Sequence, residues 1–207
     1  MPTAEARWFF DGAVPEALER WFSLGGQAST APPREDYYVL FPSVLGLNVK
    51  LREGRLEVKS LVKPLGLRTF ATDIAGIVEL WEKRIGGDVA VSEFEKLRAG
   101  APHLWIAAGK KRTLRTFSLE GDSILEIAAG TVLLSNGCNV ELTRITVDRQ
   151  AHWSFAFEAF GDPSRVEATL HTVAAHILAN TSRPPHPLPA AHSRSYPGWL
   201  ETCAHKP

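Results

Sequence analysis

An excess of charge of either sign is missing from this chain. Its 207 residues include 23 Lys or Arg and 23 Asp or Glu, so the formal net charge is zero and the pI is about 7.1. A neutral chain lacks the positive surplus from which general binding to nucleic acid or anionic membrane draws its affinity. Long apolar runs are missing as well. No stretch is long enough to span a bilayer, and the opening MPTAEARWFF has no basic segment leading into an apolar one. The expectation is a cytoplasmic protein with neither nucleic acid nor membrane as partner. Cysteine is scarce: Cys138 and Cys203 are far apart, outside any C-x-x-C or Cys/His cluster, and are expected to be unpaired thiols rather than a bridge or a zinc site. Collagen-like, wholly disordered and disulfide-scaffold classes are therefore excluded.

What is present is apolar material enough for a real core, 44% of residues, in a length that suits one domain or a domain with a tail. Residues 5–10, EARWFF, read as a strand. Pro15 opens a helix in which Leu18, Trp21 and Phe22 share one face before Gly25 and Gly26. DYYVLF at 36–41 reads as a strand. The stretch 46–63 reads as a hairpin turning at Glu53 and Gly54, with Lys50, Arg52, Glu57 and Lys59 alternating with Val49, Leu51, Leu56 and Val58. The spacing of Ile74, Ile77, Val78 and Trp81 behind Asp73 predicts a helix over 73–84. Ser92 with Glu95 predicts a capping box and a short helix to Arg98. Strands are expected at 103–120, 123–135, 139–147 and 152–161, followed by a helix capped by Asp162 and running to about Asn180. From Thr181 onward the chain carries six of its 14 prolines, and no helix or central strand is expected there. Trp199 in that tail must either dock on the body or mark a contact with a partner, and the tail could plug a cavity mouth.

The organisation is thus residues 1–180 as a folded body and 181–207 as a Pro-rich C-terminal tail. The fold class is α+β, with about eight strands in a mainly antiparallel sheet and flanking helices; such a set closes into a barrel or packs as a tight sandwich. Charged side chains lie mid-strand on at least five strands, opposite apolar faces. On an open sheet they are a wet side, whereas in a closed barrel they line the lumen. A lumen lined by Lys and Arg is a concentrated anion site, with carboxylates to balance charge or hold a divalent ion. His171 and His176 are five apart on a predicted helix and are read as packing residues rather than metal ligands. No G-x-S-x-G elbow or phosphate loop is found.

The ordered motifs, E-A-R near the N-terminus, D-Y-Y, V-K-L-R with L-E-V-K after a turn, K-K-R-T-L-R, V-E-L-T-R and F-A-F-E-A-F-G before a terminal helix, resemble the CYTH superfamily, the triphosphate tunnel metalloenzymes. The resemblance spans roughly residues 3–180. It implies an eight-stranded tunnel whose basic side chains grip a triphosphate and whose acidic ones bind Mg2+ or Mn2+. Lys50, Arg52, Lys59, Arg112, Arg115 and Arg7 then match phosphate-binding positions, Glu5, Glu141 and Glu158 match acidic metal positions, and Glu57 is a further candidate metal or water-positioning residue. Three residues depart from the pattern. Thr3 stands where the N-terminal motif has its first Glu, Arg7 replaces its Lys, and Glu158 is followed by Ala159 and Phe160 rather than a second acid. The resemblance therefore implies binding of a phosphorylated or anionic small molecule more strongly than metal-dependent phosphohydrolase activity. The alternatives are a non-catalytic barrel for an anionic or small apolar ligand, its charges forming internal salt bridges, and an interaction protein working through its tail.

Overall fold

The computed structural model describes residues 2–24, 26–120, 123–128, 135–180 and 184–204. Strand β1 (Pro2–Asp11) is followed by helix α1 (Glu16–Leu24), the two-residue β2 (Ser29–Thr30), β3 (Arg34–Val39) and β4 (Leu47–Arg52). Next come β5 (Arg55–Ala71), β6 (Ile74–Asp88), α2 (Val91–Gly100), β7 (Trp105–Glu120) and β8 (Ser123–Ile127). The described chain ends with β9 (Gly137–Val147), β10 (Gln150–Phe160), α3 (Val166–Asn180) and α4 (Tyr196–Ala204). Hydrogen bonding runs β7-β3-β4-β5-β6-β1-β10-β9 and returns from β9 to β7, so eight antiparallel strands close into a barrel. Short β2 and β8 pair with β7 outside this ring. Closure leaves no free edge and gives every strand an inner and an outer face.

The larger core lies outside the barrel. On β1, Ala4, Trp8 and Phe10 point outward, and Trp153, Phe155 and Phe157 do so on β10; α1 and α3 cover them with Leu18, Trp21, Phe22, Leu170, Val173 and Ile177. Each such side chain, fully withdrawn from water, contributes about 1.5–3 kcal/mol. The Trp8 indole satisfies its buried N–H by donating to the Ala75 carbonyl at 2.8 Å. His171 stacks on Phe70 and His176 meets the edge of Phe117, so both pack against aromatic rings. Cys138 and Cys203 form no disulfide bond.

The hairpin at Glu53 and Gly54 forms as predicted, and both residues have positive φ, 49° and 79°, as a type I′ turn demands. The predicted helix over 73–84 is instead the first part of β6, with Asp73 in the turn after β5 rather than in a cap. Helical spacing and strand spacing coincide here, because 74 to 78 and 77 to 81 are both even steps. Ile74 and Val78 face the outer core, while Ile77 and Trp81 belong to the other face. The capping box is also corrected: α2 begins at Val91, so Ser92 already lies inside it and no side chain caps its start. Before α3, Asp162 accepts from the Ser164 backbone N–H at 2.9 Å, although regular helix begins only at Val166.

The tail does form a helix, against expectation. Its prolines at 184, 185, 187 and 189 lie ahead of α4, and Pro197 occupies the first turn, where a missing N–H costs nothing. Ser195 accepts from the Gly198 N–H at 3.3 Å at this start. Trp199 docks on the body: it is buried, and its ring stacks on Phe9 with centroids 4.5 Å apart. With Leu200 it joins Phe9, Tyr38, Ile106 and Ile145 in a second core that stops one end of the barrel. Among the described residues no helix is long and apolar enough to cross a membrane.

Candidate anion site in the barrel lumen

Strand alternation decides what the lumen contains. With the apolar residues of β1, β9 and β10 claimed by α1 and α3, the intervening positions must point inward, whatever their charge. Glu5 and Arg7 (β1), Lys50 and Arg52 (β4), Glu57 and Lys59 (β5), Arg112 (β7), Glu141 (β9) and Glu158 (β10) all line one cavity of about 380 Å³. Those are nine of the ten predicted site residues. The tenth, Arg115, is misplaced by the sequence reading. Three residues from Arg112 on the same strand, it falls on the opposite face, where it donates to Glu126 of β8 at 2.6 Å and lies over the Phe117 ring. The odd spacing was the signal that separates the two arginines.

Sequence reasoning missed five contributors: Arg34, Asp36, Lys83, Lys110 and Tyr196. Asp36 is fully buried and meets Arg34 at 3.1 Å, Arg52 at 3.2 Å, Lys110 at 3.1 Å and Lys50 at 3.7 Å. It sits two residues before Tyr38, on the same face, and Lys110 sits two before Arg112, so both were readable from parity. Lys83, 3.2 Å from Glu57, was hidden by the helix assignment over 73–84. Tyr196 of α4 reaches in from the tail; its ring lies 4.0 Å from the Lys110 ammonium and is stacked on Tyr38.

The charges are unevenly distributed. Around Asp36 and Glu57 stand five cations: Arg34, Lys50, Arg52, Lys83 and Lys110. On the β1, β9 and β10 wall Glu141 is held by Arg7 at 2.9 Å and Arg112 at 2.8 Å, and Lys59 lies between Glu5 and Glu158, so these three acids meet three cations, with Glu79 of β6 as the register partner of Glu5. The formal surplus of three positive charges therefore lies on β3, β4, β6 and β7. Its effect on the ionisable groups is consistent. Burial and then the like charge of Arg52 push the Lys50 ammonium down to about 8 despite Asp36 and Glu57. Burial likewise pushes Lys110 well down, with Lys50 and Arg52 adding to it and Asp36 opposing. Burial would raise the Glu57 carboxyl, but Lys50, Arg52 and Lys83 outweigh it and hold it at about 2. Asp36 and Glu141 are also held low against burial, by Lys110 and Lys50 in one case and by Arg7 and Arg112 in the other. Two buried polar atoms on register-paired residues, Arg112 Nε and Thr143 Oγ1, have no hydrogen-bond partner. Both residues line the same cavity.

The donor set does not suit a divalent ion. Each predicted metal carboxylate already meets at least one cation, and among the described residues no group of three or more His, Cys, Asp or Glu is placed to hold a metal. A second cavity, about 240 Å³ between the β3–β4 connection and α4, is largely apolar and contains none of the lumen cations.

No family model matches the chain, and no curated protein matches it. Among solved structures, a conserved hypothetical protein from Pyrococcus furiosus aligns with 95% of this chain and 98% of its own, at 14% identity and a TM-score of 0.48. The PH1819 protein from Pyrococcus horikoshii OT3 aligns with 87% of this chain and 92% of its own, at 8% identity and a TM-score of 0.46. The PH1012 protein from the same organism aligns with 88% and 96% respectively, at 13% identity and a TM-score of 0.39.

Proposed function

We propose that the barrel is a CYTH-like tunnel that binds a compact polyanion, a triphosphate or another polyphosphate group, in its lumen. The observation that carries this reading is the surplus of three cations crowded on β3, β4, β6 and β7. Like charges buried together are costly unless a counter-charge joins them. An oxyanion held by Lys50, Arg52, Lys110 and Arg112 relieves that crowding and supplies acceptors for Arg112 Nε and Thr143 Oγ1. A phosphate chain suits the site because each phosphoryl group offers several acceptors to several strands at once. Internal salt bridges alone, the alternative reading, would leave the surplus uncompensated.

Binding is favoured over hydrolysis. Metal-assisted attack of water needs a carboxylate free to take a metal ion or a proton. Glu5, Glu57, Glu141 and Glu158 are instead engaged by cations.

Thermal unfolding with sodium tripolyphosphate, pyrophosphate, sulfate and nucleoside triphosphates tests the reading. Tripolyphosphate at a hundredfold its Kd adds about 2.7 kcal/mol, which for a chain of this size raises Tm by roughly 5–10 °C. No shift with any polyanion at millimolar concentration would overturn it.

A further inference from the structure

Building on the polyphosphate reading, we propose that the Lys59 ammonium is the resident cation of the tunnel's acidic wall, so that the lumen takes the metal-free polyphosphate and not its divalent complex. Glu5 and Glu158 face each other as register partners on β1 and β10, and Glu79 of β6 is the register partner of Glu5 on its other side. Carboxylates directly opposite on neighbouring strands repel one another and require a cation between them. Lys59 reaches across from β5 and donates to Glu5 Oε1 and, at 2.7 Å, to Glu158 Oε1. All three side chains are less than a fifth exposed.

One oxygen of each of these two carboxylates, which a divalent ion would use, is thereby taken by an ammonium ion. Glu5 Oε1 also accepts from the Thr3 hydroxyl at 2.9 Å, so the residue at the position of the missing acid donates a proton where a ligand would offer a lone pair. Glu141, the next carboxylate along the wall, turns both oxygens to guanidinium groups. Glu79 is engaged by the Trp81 indole N–H at 3.1 Å. An ion with two positive charges would need six or so oxygens and would have to sit beside an ammonium ion. A buried lysine supplies one positive charge and up to three donors without recruiting anything from solution.

Two measurements on the full chain test this, one of them independent of anion binding. The electron paramagnetic resonance signal of free Mn2+ is titrated with protein, with and without tripolyphosphate. Tripolyphosphate affinity is then measured by calorimetry in EDTA and in excess Mg2+. The expected result is no loss of the Mn2+ signal to the protein alone, and an affinity that Mg2+ leaves unchanged or weakens, since the ion competes for the anion. Uptake of about one Mn2+ per chain, or affinity strengthened more than threefold by Mg2+, overturns the proposal. Lys59→Met, checked for folding by circular dichroism, is expected to gain at least tenfold in Mn2+ affinity; a folded variant with no gain also overturns it. If the variant does not fold, the wild-type titrations decide. Should tripolyphosphate fail to bind even in EDTA, the polyphosphate reading falls, while the Mn2+ titration of the free protein still judges Lys59.

Discussion

At the scale of single residues, Asp36 is the counter-charge on which the crowded wall depends. It contacts four cations with no exposure to solvent. Removing one partner from a buried ionic group costs about 3–5 kcal/mol, because the remaining charges stay desolvated. Asp36→Asn is therefore expected to lower stability by that amount in urea unfolding; a loss below about 1 kcal/mol would mean that the cations relax into water. On the polyphosphate proposal, Lys50 is the residue that would set the pH response of binding. It faces Asp36 and Tyr38 of β3, Arg52 of its own strand, Glu57 of β5 and Lys110 of β7. Burial and Arg52 lower its ammonium to about 8 in the free lumen, and on the polyphosphate proposal a bound anion would restore the proton. Tripolyphosphate affinity should then weaken as pH rises through about 8, with proton uptake detectable by calorimetry in buffers of different ionisation enthalpy. Lys50→Met should flatten that part of the pH dependence, and an identical slope in the variant would refute the assignment.

Among elements, α4 and β6 carry the lesson that tertiary context redirects local signals. Helix α4 stops one end of the barrel through Trp199, which stacks on Phe9 and meets Tyr196 and His152 edge to face. Trp199→Ala is expected to cost about 3–5 kcal/mol, read from the urea midpoint, since the cavity it leaves is lined by the second core. A cost under about 1 kcal/mol would show instead that α4 is a loosely held appendage. Strand β6 was read as a helix because even steps satisfy both periodicities over a short window. The strand form prevails because β5 pairs along most of its length and β1 pairs with its residues 78–82 on the other side. That misreading also concealed Lys83, so an error about an element became an error about the site.

For the whole molecule, the acidic limb of stability follows from the lumen. Glu57 titrates near 2 when folded and at about 4.5 when unfolded, so its contribution is complete above pH 4.5 and lost as pH falls toward 2. Asp36 and Glu141 act in the same direction. Urea midpoints measured from pH 6 down to pH 2 should fall steeply below about 4.5, and a flat profile would sink the paired-lumen account. Lys50 acts oppositely at the basic end. Its proton affinity is lowered on folding, so its share of stability grows as pH rises from about 8 toward 10.5.

The amino-acid sequence by itself determined the pattern of faces. Alternation along Leu47–Arg52, Arg55–Ala71 and Gln150–Phe160 separates charge from apolar surface, and the Glu53–Gly54 turn pairs two of those strands. Nine of the lumen-lining residues were legible for that reason, because a period of two is a local property of the chain. Only the tertiary structure decided which face became the inside. Closure between β7 and β9 turned a charged sheet surface into a lumen, and α1 and α3 claimed the outer apolar face. It also set the distances that gather a cationic surplus on one wall of the lumen in a chain whose formal charge is zero. Those distances depend on strand order and on the docking of α4, and neither is written in any local window.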